Sequence, residues 1–142
     1  MPGVMNKDRI KRYKEKITVI ETRRNNIFSW ISETDEKSVL AVYKAFQEVV
    51  DSLTLIFAMM LKDMGEIVED DYSNIEALER TNLLNQKQAA VMKEANGLRN
   101  RLVHEYNGLE RQTARISMEE INDEMEDILT KVRSWIKKHF TR

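Results

Sequence analysis

Apolar residues recur three and four positions apart in the first half of the chain, which is the spacing of one buried face of an α-helix. The first stripe consists of Ile10, Tyr13, Ile17, Ile20, Ile27 and Ile31. The second is wider and is built around Val39, Tyr43, Phe46, Val50, Leu53, Phe57, Met60 and Met64. These stripes predict helices over residues 7–32 and 36–64. Asp35 is expected to cap the start of the second helix, and Gly65 is expected to end it.

Two segments in the second half have the Ser-x-x-Glu form of a capping box, in which both side chains bind free amides at a helix start. They predict a short third helix beginning at Ser73 and a last helix beginning at Ser117. Between them, a helix over residues 86–107 is predicted from the stripe Val91, Ala95, Leu98, Leu102 and Tyr106. Gly108 is expected to end that helix.

Four long helices and one short helix, joined by short connections, can bury their stripes only against one another. The pattern therefore predicts an all-α, up-and-down antiparallel helical bundle that forms a single domain over residues 1–142. Residues 1–5 fit no helix pattern and are expected to be a disordered or non-native start. With 142 residues, 42% of them hydrophobic, the chain is long enough to bury one core.

The composition narrows the possible functions. The chain has no cysteine, which excludes a disulfide framework, thiolate catalysis and the usual structural zinc sites. It has no long apolar run and no apolar signal core, so a soluble cytoplasmic protein is expected. Net charge is −1, but residues 7–24 carry eight Lys or Arg and residues 119–127 carry six acids. Such segregation can mark a surface for polyanions, although a charge run is more often the solvated side of a helix.

Reactive side chains concentrate near the end of the fourth predicted helix. Arg99 can neutralise phosphate oxygens, Asn100 can donate an amide hydrogen, and His104 can act as a general acid or base near neutral pH. No serine or cysteine nucleophile is evident beside His104, and no second histidine is near it, so covalent hydrolysis and zinc hydrolysis have little support. RNA cleavage needs neither a protein nucleophile nor a zinc ion, because the 2′-hydroxyl of the substrate is the nucleophile. Arg99, Asn100 and His104 are therefore a candidate catalytic set that uses no metal and no cofactor.

Helical geometry divides this segment into two parts. At about 100° per residue, Arg99, Asn100 and His104 share one broad side of the helix, whereas Tyr106 lies near the apolar stripe. A single histidine supplies only half of the proton transfer that cleavage needs. A homodimer with its twofold axis near the end of this helix would bring two sets into one cleft.

The arrangement Arg99-Asn100-x-x-x-His104-x-Tyr106 on the penultimate helix resembles the Arg-x4-His-x-Tyr signature of HEPN domains. More narrowly, it is similar to the HepT-like toxins of HEPN/MNT toxin–antitoxin systems, which the segments Val49-Val50-Asp51 and Leu102-Val103 also resemble. The resemblance implies a homodimeric bundle that acts as a metal-independent endoribonuclease on RNA. It also implies an antitoxin partner, a minimal MNT-type nucleotidyltransferase, which can inactivate the toxin by transferring AMP to the motif tyrosine, here Tyr106.

Two other functions fit the same pattern. The chain could be a non-catalytic module that binds a nucleotide or a nucleotidyltransferase partner, as its substrate or accessory subunit. Its modest basic content slightly favours this alternative, since sequence-independent RNA binding usually needs a more positive surface. It could also be a helical scaffold in which the motif is incidental.

Overall fold

The computed structural model describes residues 2–104 and 108–141. These residues form helices α1 (Pro2–Trp30), α2 (Glu36–Asp63), α3 (Asp71–Arg80), α4 (Gln86–His104) and α5 (Arg111–Phe140). The described ranges contain no strand, so the prediction of an all-α fold with four long helices and one short helix is confirmed. No helix within these ranges has both the length and the apolar character needed to cross a bilayer.

Both predicted ends of α2 are found. The carboxylate of Asp35 accepts a hydrogen bond from the Ser38 amide at 3.0 Å, which satisfies one of the free donors of the first turn. Gly65 follows the helix with φ of 80°, a conformation that glycine adopts without steric cost. Its amide donates to the Lys62 carbonyl at 3.0 Å and so closes the last turn.

The predicted start of the last helix is wrong. α5 begins at Arg111, and Ser117 lies inside it. Glu110 is the cap, because its carboxylate accepts hydrogen bonds from two amides of the first turn at 3.0 and 2.7 Å. The buried face also extends back before Ser117, since Ala114 is only 1% exposed. The serine pattern therefore occurs within a helix that a carboxylate has already started.

Two other helix starts lie earlier than predicted. α3 begins at Asp71 rather than Ser73, because Asp70 caps it and accepts from the Ser73 amide at 2.9 Å. α1 begins at Pro2, a residue tolerated at a helix start because the first amides have no intrahelical partner. The backbone of residues 2–5 is part of this helix, although these residues lack the apolar spacing that predicts one. The predicted last residues of the fourth helix, 105–107, lie outside the described ranges.

Cross-helix ion pairs show that α1 runs antiparallel to both α2 and α5. Between α1 and α2, Arg9 pairs with Asp63 at 2.9 Å and Arg23 pairs with Glu48. Between α1 and α5, Arg24 pairs with Glu126 at 2.7 Å and Glu21 pairs with Arg133 at 2.9 Å. In each set the earlier residue of α1 meets the later residue of the other helix. The antiparallel arrangement is confirmed for these helices.

α2 is the central helix of the core, since it packs against α1, α3 and α4. Thirteen of its residues are buried, which accounts for the unusual width of its apolar stripe. Leu53, Ile56 and Met60 are fully buried. Burial of side chains of this size contributes about 1.5–3 kcal/mol each. Packing of this core fixes the position of α2 relative to α3 and α4.

The two histidines lie at opposite ends of the bundle. His139 stacks on Trp135 with 4.5 Å between ring centroids, and Trp135 lies 6.0 Å from the ring of Tyr13. Tyr13 donates to Asp63, the last residue of α2, at 2.5 Å. Burial, together with this hydrogen bond, raises the pKa of Tyr13 above its ordinary value. His104, by contrast, ends α4, whose last turn lies beside the first turns of α2.

Candidate active site

Oxygen atoms from three helices hold Arg99 in place. Its Nη1 donates to Asp51 Oδ1 of α2 at 2.7 Å, and its Nη2 donates to Asp71 Oδ2 of α3 at 3.2 Å. Nη2 also donates at 2.6 Å to Oδ1 of Asn96, which precedes it by one turn on α4. The Arg99 side chain is only 20% exposed. The guanidinium is therefore fixed between helices, not free on the surface.

Two carboxylates face this one guanidinium, which gives the cluster of Arg99, Asp51 and Asp71 a formal charge of −1. The Asp51 and Asp71 side chains are 53% and 38% exposed, so solvent screens their attraction and they orient Arg99 more than they stabilise the fold. The Nε of Arg99 is buried and forms no hydrogen bond with the described residues. Because the Nε is buried, an incoming phosphate must bind Arg99 through the Nη atoms. It must either displace a carboxylate from these atoms or bind them together with that carboxylate.

The other two residues of the candidate catalytic set are more accessible. Asn100 is half-buried, and His104, the last residue of α4, is exposed. The helix thus presents an anchored cation and an accessible titratable ring within six residues. In residues 2–104 and 108–141, no group of three or more histidine, aspartate or glutamate side chains is arranged to hold a metal ion.

A groove of about 310 Å³ lies between the first turns of α2 and the last turn of α4. It is lined by Leu40, Tyr43, Lys44, Gln47, Leu102 and Val103. Leu40 and Val103 are 42% and 49% exposed, so the groove presents apolar surface, and Val103 directly precedes His104 in the sequence.

Tyr106, the predicted site of AMP transfer, lies outside the described residues. Its sequence position nevertheless puts it two residues after His104 and two before Gly108, where the description resumes.

The sequence interpretation gave no role to the three residues that hold Arg99. Asn96 could have been found, because a residue three positions earlier on a helix lies on the same face. Asp71 belongs to an acidic, turn-like stretch, and Asp51 entered only through its resemblance to a family motif. Nothing in the local sequence indicates that these two carboxylates converge on Arg99.

Sequence comparison finds a matching protein family and similar proteins. The family described as "Ribonuclease HepT-like" matches residues 8–132. Two proteins of Archaeoglobus fulgidus, each named "Putative RNase", are 35% and 32% identical to this chain over 131 and 124 residues. Each alignment covers 87% of this chain, and they cover 98% and 92% of the two relatives. No solved structure gave a significant match.

Proposed function

The chain belongs to the ribonuclease HepT-like family, and on this premise we propose that it is a toxin that cuts RNA as a metal-independent endoribonuclease, at a cleft between two copies of the chain. One observation carries the proposal. Arg99 is anchored by three oxygen atoms at 2.6–3.2 Å, and His104 is exposed at the end of the same helix. A fixed cation and an accessible acid–base group are what cleavage of an RNA phosphodiester requires.

In the proposed reaction the substrate supplies its own nucleophile. The 2′-hydroxyl attacks the adjacent phosphorus, the bond from phosphorus to the 5′-oxygen breaks, and a 2′,3′-cyclic phosphate and a 5′-hydroxyl form. His104 of one copy accepts the proton of the 2′-hydroxyl, and His104 of the other donates a proton to the leaving 5′-oxygen. Arg99 faces the non-bridging oxygens as their negative charge grows, and Asn100 donates an orienting hydrogen bond.

The requirement for two copies follows from the placement of the histidines. His139 is stacked on Trp135 at the opposite end of the bundle and cannot be the second proton-transfer group of the same chain. The exposed Leu40 and Val103 beside His104 support this face as the homodimer contact. The second histidine of the cleft would then come from the second copy.

The cleavage step is tested by comparing wild type with His104→Ala on RNA in the presence of EDTA. Wild type is expected to cut, and the variant is expected to be slower by about 10²- to 10⁴-fold, because it loses the proton-transfer group. His139→Gln, which changes the histidine at the far end of the bundle, is the matched control and should cut like wild type. Equal rates for wild type and His104→Ala, or no cleavage by either, would reject the proposal.

The proposed partner is an MNT-type nucleotidyltransferase antitoxin that transfers AMP from ATP to Tyr106. The phenolic oxygen of Tyr106 would bond to the α-phosphorus as pyrophosphate leaves. The family resemblance supports this role, and so does the sequence position two residues from His104. A bulky group with a negatively charged phosphate would thereby be added beside the proton-transfer site and repel the RNA backbone.

Intact-mass measurement checks this modification after incubation with the cognate nucleotidyltransferase and ATP. Wild type is expected to gain one AMP and lose its ribonuclease activity, while Tyr106→Phe gains nothing. Tyr72→Phe, which alters an exposed tyrosine of α3, should be modified like wild type. An adduct of unchanged amount on Tyr106→Phe would show that the acceptor is elsewhere.

The negative formal charge of the Arg99 cluster favours one alternative, because an acidic surround weakens the attraction for RNA. In that case the chain is a non-catalytic module that binds a nucleotide or serves as the substrate or accessory subunit of a minimal nucleotidyltransferase. Modification at Tyr106 in a wild-type protein that cuts no RNA would support this alternative.

A further inference from the structure

The first half of α1 and the last turns of α5 carry a group of exposed lysines, which together form a basic face of the bundle. They are Lys7, Lys11, Lys14, Lys137 and Lys138. Within the described ranges none of these lysines forms an ion pair, whereas Arg9 and Arg133 of the same two helices pair with Asp63 and Glu21 at 2.9 Å each. The ammonium groups of the basic face are therefore available to an external anion.

The lysines of α1 point away from the carboxylate at the end of α2. At about 100° per residue, Lys7, Lys11 and Lys14 lie about 140–160° around the helix from Arg9. Arg9 itself faces α2 through its ion pair with Asp63. An open groove of about 690 Å³ runs along the three lysines. Its lining is Lys7, Ile10, Lys11, Lys14, Glu15 and Thr18, which includes one acid.

α5 brings further lysines to this face because it runs antiparallel to α1. The ring of Phe140 lies 6.0 Å from the ring of Tyr13, and Arg133 pairs with Glu21 one to two turns further along α1. Lys137 stands between Phe140 and Arg133, within about one turn of each, and shares their side of α5. It therefore lies alongside the first half of α1, next to the lysines of that helix.

Few carboxylates oppose these lysines. Residues 128–140 of α5 contain no Asp or Glu, and residues 7–20 of α1 contain two acids, Asp8 and Glu15. Glu21, just beyond them, is paired with an arginine of α5. Five lysines and two carboxylates leave the basic face with a formal charge of +3. Such a local excess attracts a polyanion even though the whole chain has a net charge of −1.

The basic face is remote from the proposed cleavage site. Asp63, which pairs with Arg9, and Tyr43, which lines the groove with Val103, are 20 residues apart on α2. At 1.5 Å per residue this separation is about 30 Å. The basic face belongs to α1 and α5, and neither helix lines the α2–α4 groove that we propose as the homodimer contact. The proposed dimer therefore leaves the basic face open.

We infer that the basic face is a docking surface for the phosphate backbone of the RNA substrate, at a part of that RNA remote from the cut; the inference rests on the proposed ribonuclease function. Lysine ammonium groups bind phosphates as point charges and do not read the bases. From Lys7 to Lys14 the lysines of α1 extend over about 10 Å, which matches about three nucleotides of a stacked strand. None of the large apolar side chains exposed in the described residues belongs to this face, so it suits a hydrated phosphate backbone and not insertion into lipid.

Binding is measured by fluorescence anisotropy with a long folded RNA, in a His104→Ala background that leaves the RNA intact. Two double variants are compared with this background: an α1 variant, Lys11→Gln with Lys14→Gln, and an α5 variant, Lys137→Gln with Lys138→Gln. Each is expected to bind about tenfold more weakly and to lower the slope of log affinity against log salt concentration by about two, because each lysine neutralises about one phosphate. Unchanged affinity and slope in both variants would overturn the inference.

The matched control removes two lysines that are already paired. Lys87 lies 2.7 Å from Glu124, and Lys93 lies 3.3 Å from Glu76. Lys87→Gln with Lys93→Gln changes the net charge by the same amount and should leave the RNA affinity close to that of the background. If the α1 and α5 variants lose binding of polyglutamate but keep their RNA affinity, the partner is an acidic protein and the inference is wrong.

A cleavage assay separates docking from catalysis. On the long RNA the α1 variant, with His104 intact, should raise KM about tenfold with little change in kcat, because it removes binding contacts that lie far from the reacting atoms. On an oligonucleotide too short to span 30 Å, both constants should equal those of wild type. An equal rise in KM on the two RNAs would overturn docking at a remote part of the substrate. If wild type cuts neither RNA, the proposed function has failed, and the binding experiment still decides whether the basic face holds RNA.

Discussion

At the scale of single residues, the geometry of Arg99 is set by side chains that are not its neighbours in the sequence. Its Nη atoms are shared among Asp51, Asp71 and Asn96, and the two aspartates come from different helices. Such an arrangement has opposite effects on an RNA-cleaving site. It fixes the direction of the guanidinium, which favours the transition state, but its excess negative charge opposes the binding of phosphate.

Asp51→Asn separates these two effects because it keeps the size of the side chain and removes its charge. We expect kcat to fall by about 10- to 100-fold, since a guanidinium without its 2.7 Å charge-assisted bond is less well positioned. KM should fall or stay constant, because one negative charge near the substrate is gone. Steady-state RNA cleavage measures both constants. Glu76→Gln, in a surface pair with Lys93 at 3.3 Å, is the control, and an unchanged kcat in Asp51→Asn would exclude a positioning role.

At the scale of whole helices, the ends are set by whichever side chain first satisfies the free amides. Asp35, Asp70 and Glu110 each accept hydrogen bonds from the first turn of the helix that follows. In all three cases the carboxylate precedes the helix directly. The Ser-x-x-Glu patterns at Ser73 and Ser117 predict the starts of α3 and α5 too late in the sequence. The reason is that the same spacing also occurs inside a helix that has already begun.

Glu110→Ala tests the start of α5. The hydrogen bonds from Thr113 and Gln112 lower the pKa of the Glu110 carboxyl below its ordinary value. Its contribution to stability is therefore fully present above the pKa of the unfolded chain, about 4.3 for glutamate, and is lost as the pH falls through the lower folded value. We expect Glu110→Ala to melt a few degrees below wild type at pH 7, and the difference to vanish at pH values below the folded pKa.

Thermal unfolding followed by circular dichroism across this pH range measures the effect. Ser117→Ala is the matched control, since Ser117 is the cap that the capping box predicts and lies inside α5 in the structure. It should melt close to wild type at every pH. A larger loss in Ser117→Ala than in Glu110→Ala would contradict the observed helix start.

At the scale of the whole molecule, the bundle places its two histidines far apart and leaves apolar side chains exposed in the groove between the first turns of α2 and the last turn of α4. Leu40 and Val103 are 42% and 49% exposed there. A twofold contact through this face would bury both and bring two His104 rings into one cleft. The proposed mechanism therefore couples assembly to activity.

Leu40→Asp is expected to convert the proposed dimer to a monomer and to abolish RNA cleavage, because it places a charge in the proposed apolar contact. Light scattering after gel filtration measures the mass, and the same samples are assayed on RNA. Phe28→Asp removes a more exposed apolar side chain, 81% exposed on α1, and should change neither property. A monomeric Leu40→Asp protein that still cuts RNA at the wild-type rate would refute cleavage in a shared cleft.

The sequence by itself determined the helices, their buried faces, and the grouping of Arg99, Asn100 and His104 on α4. These features depend on residues within a few turns of one another, and the 3.6-residue period relates such residues directly. It also determined the ends of α2, where Asp35 and Gly65 act on adjacent backbone.

Only the tertiary structure decided what surrounds that candidate catalytic set. Asp51 and Asp71 are 48 and 28 residues from Arg99, and they reach it because α2, α3 and α4 bury their apolar stripes against one another. Tyr43 of α2 likewise lines one cavity with Arg111 and Arg115 only because the start of α5 lies near the start of α2. Local periodicity states which face of each helix is buried, but not which helix covers it, so the partners of Arg99 and the cavity of Tyr43 arise from packing alone.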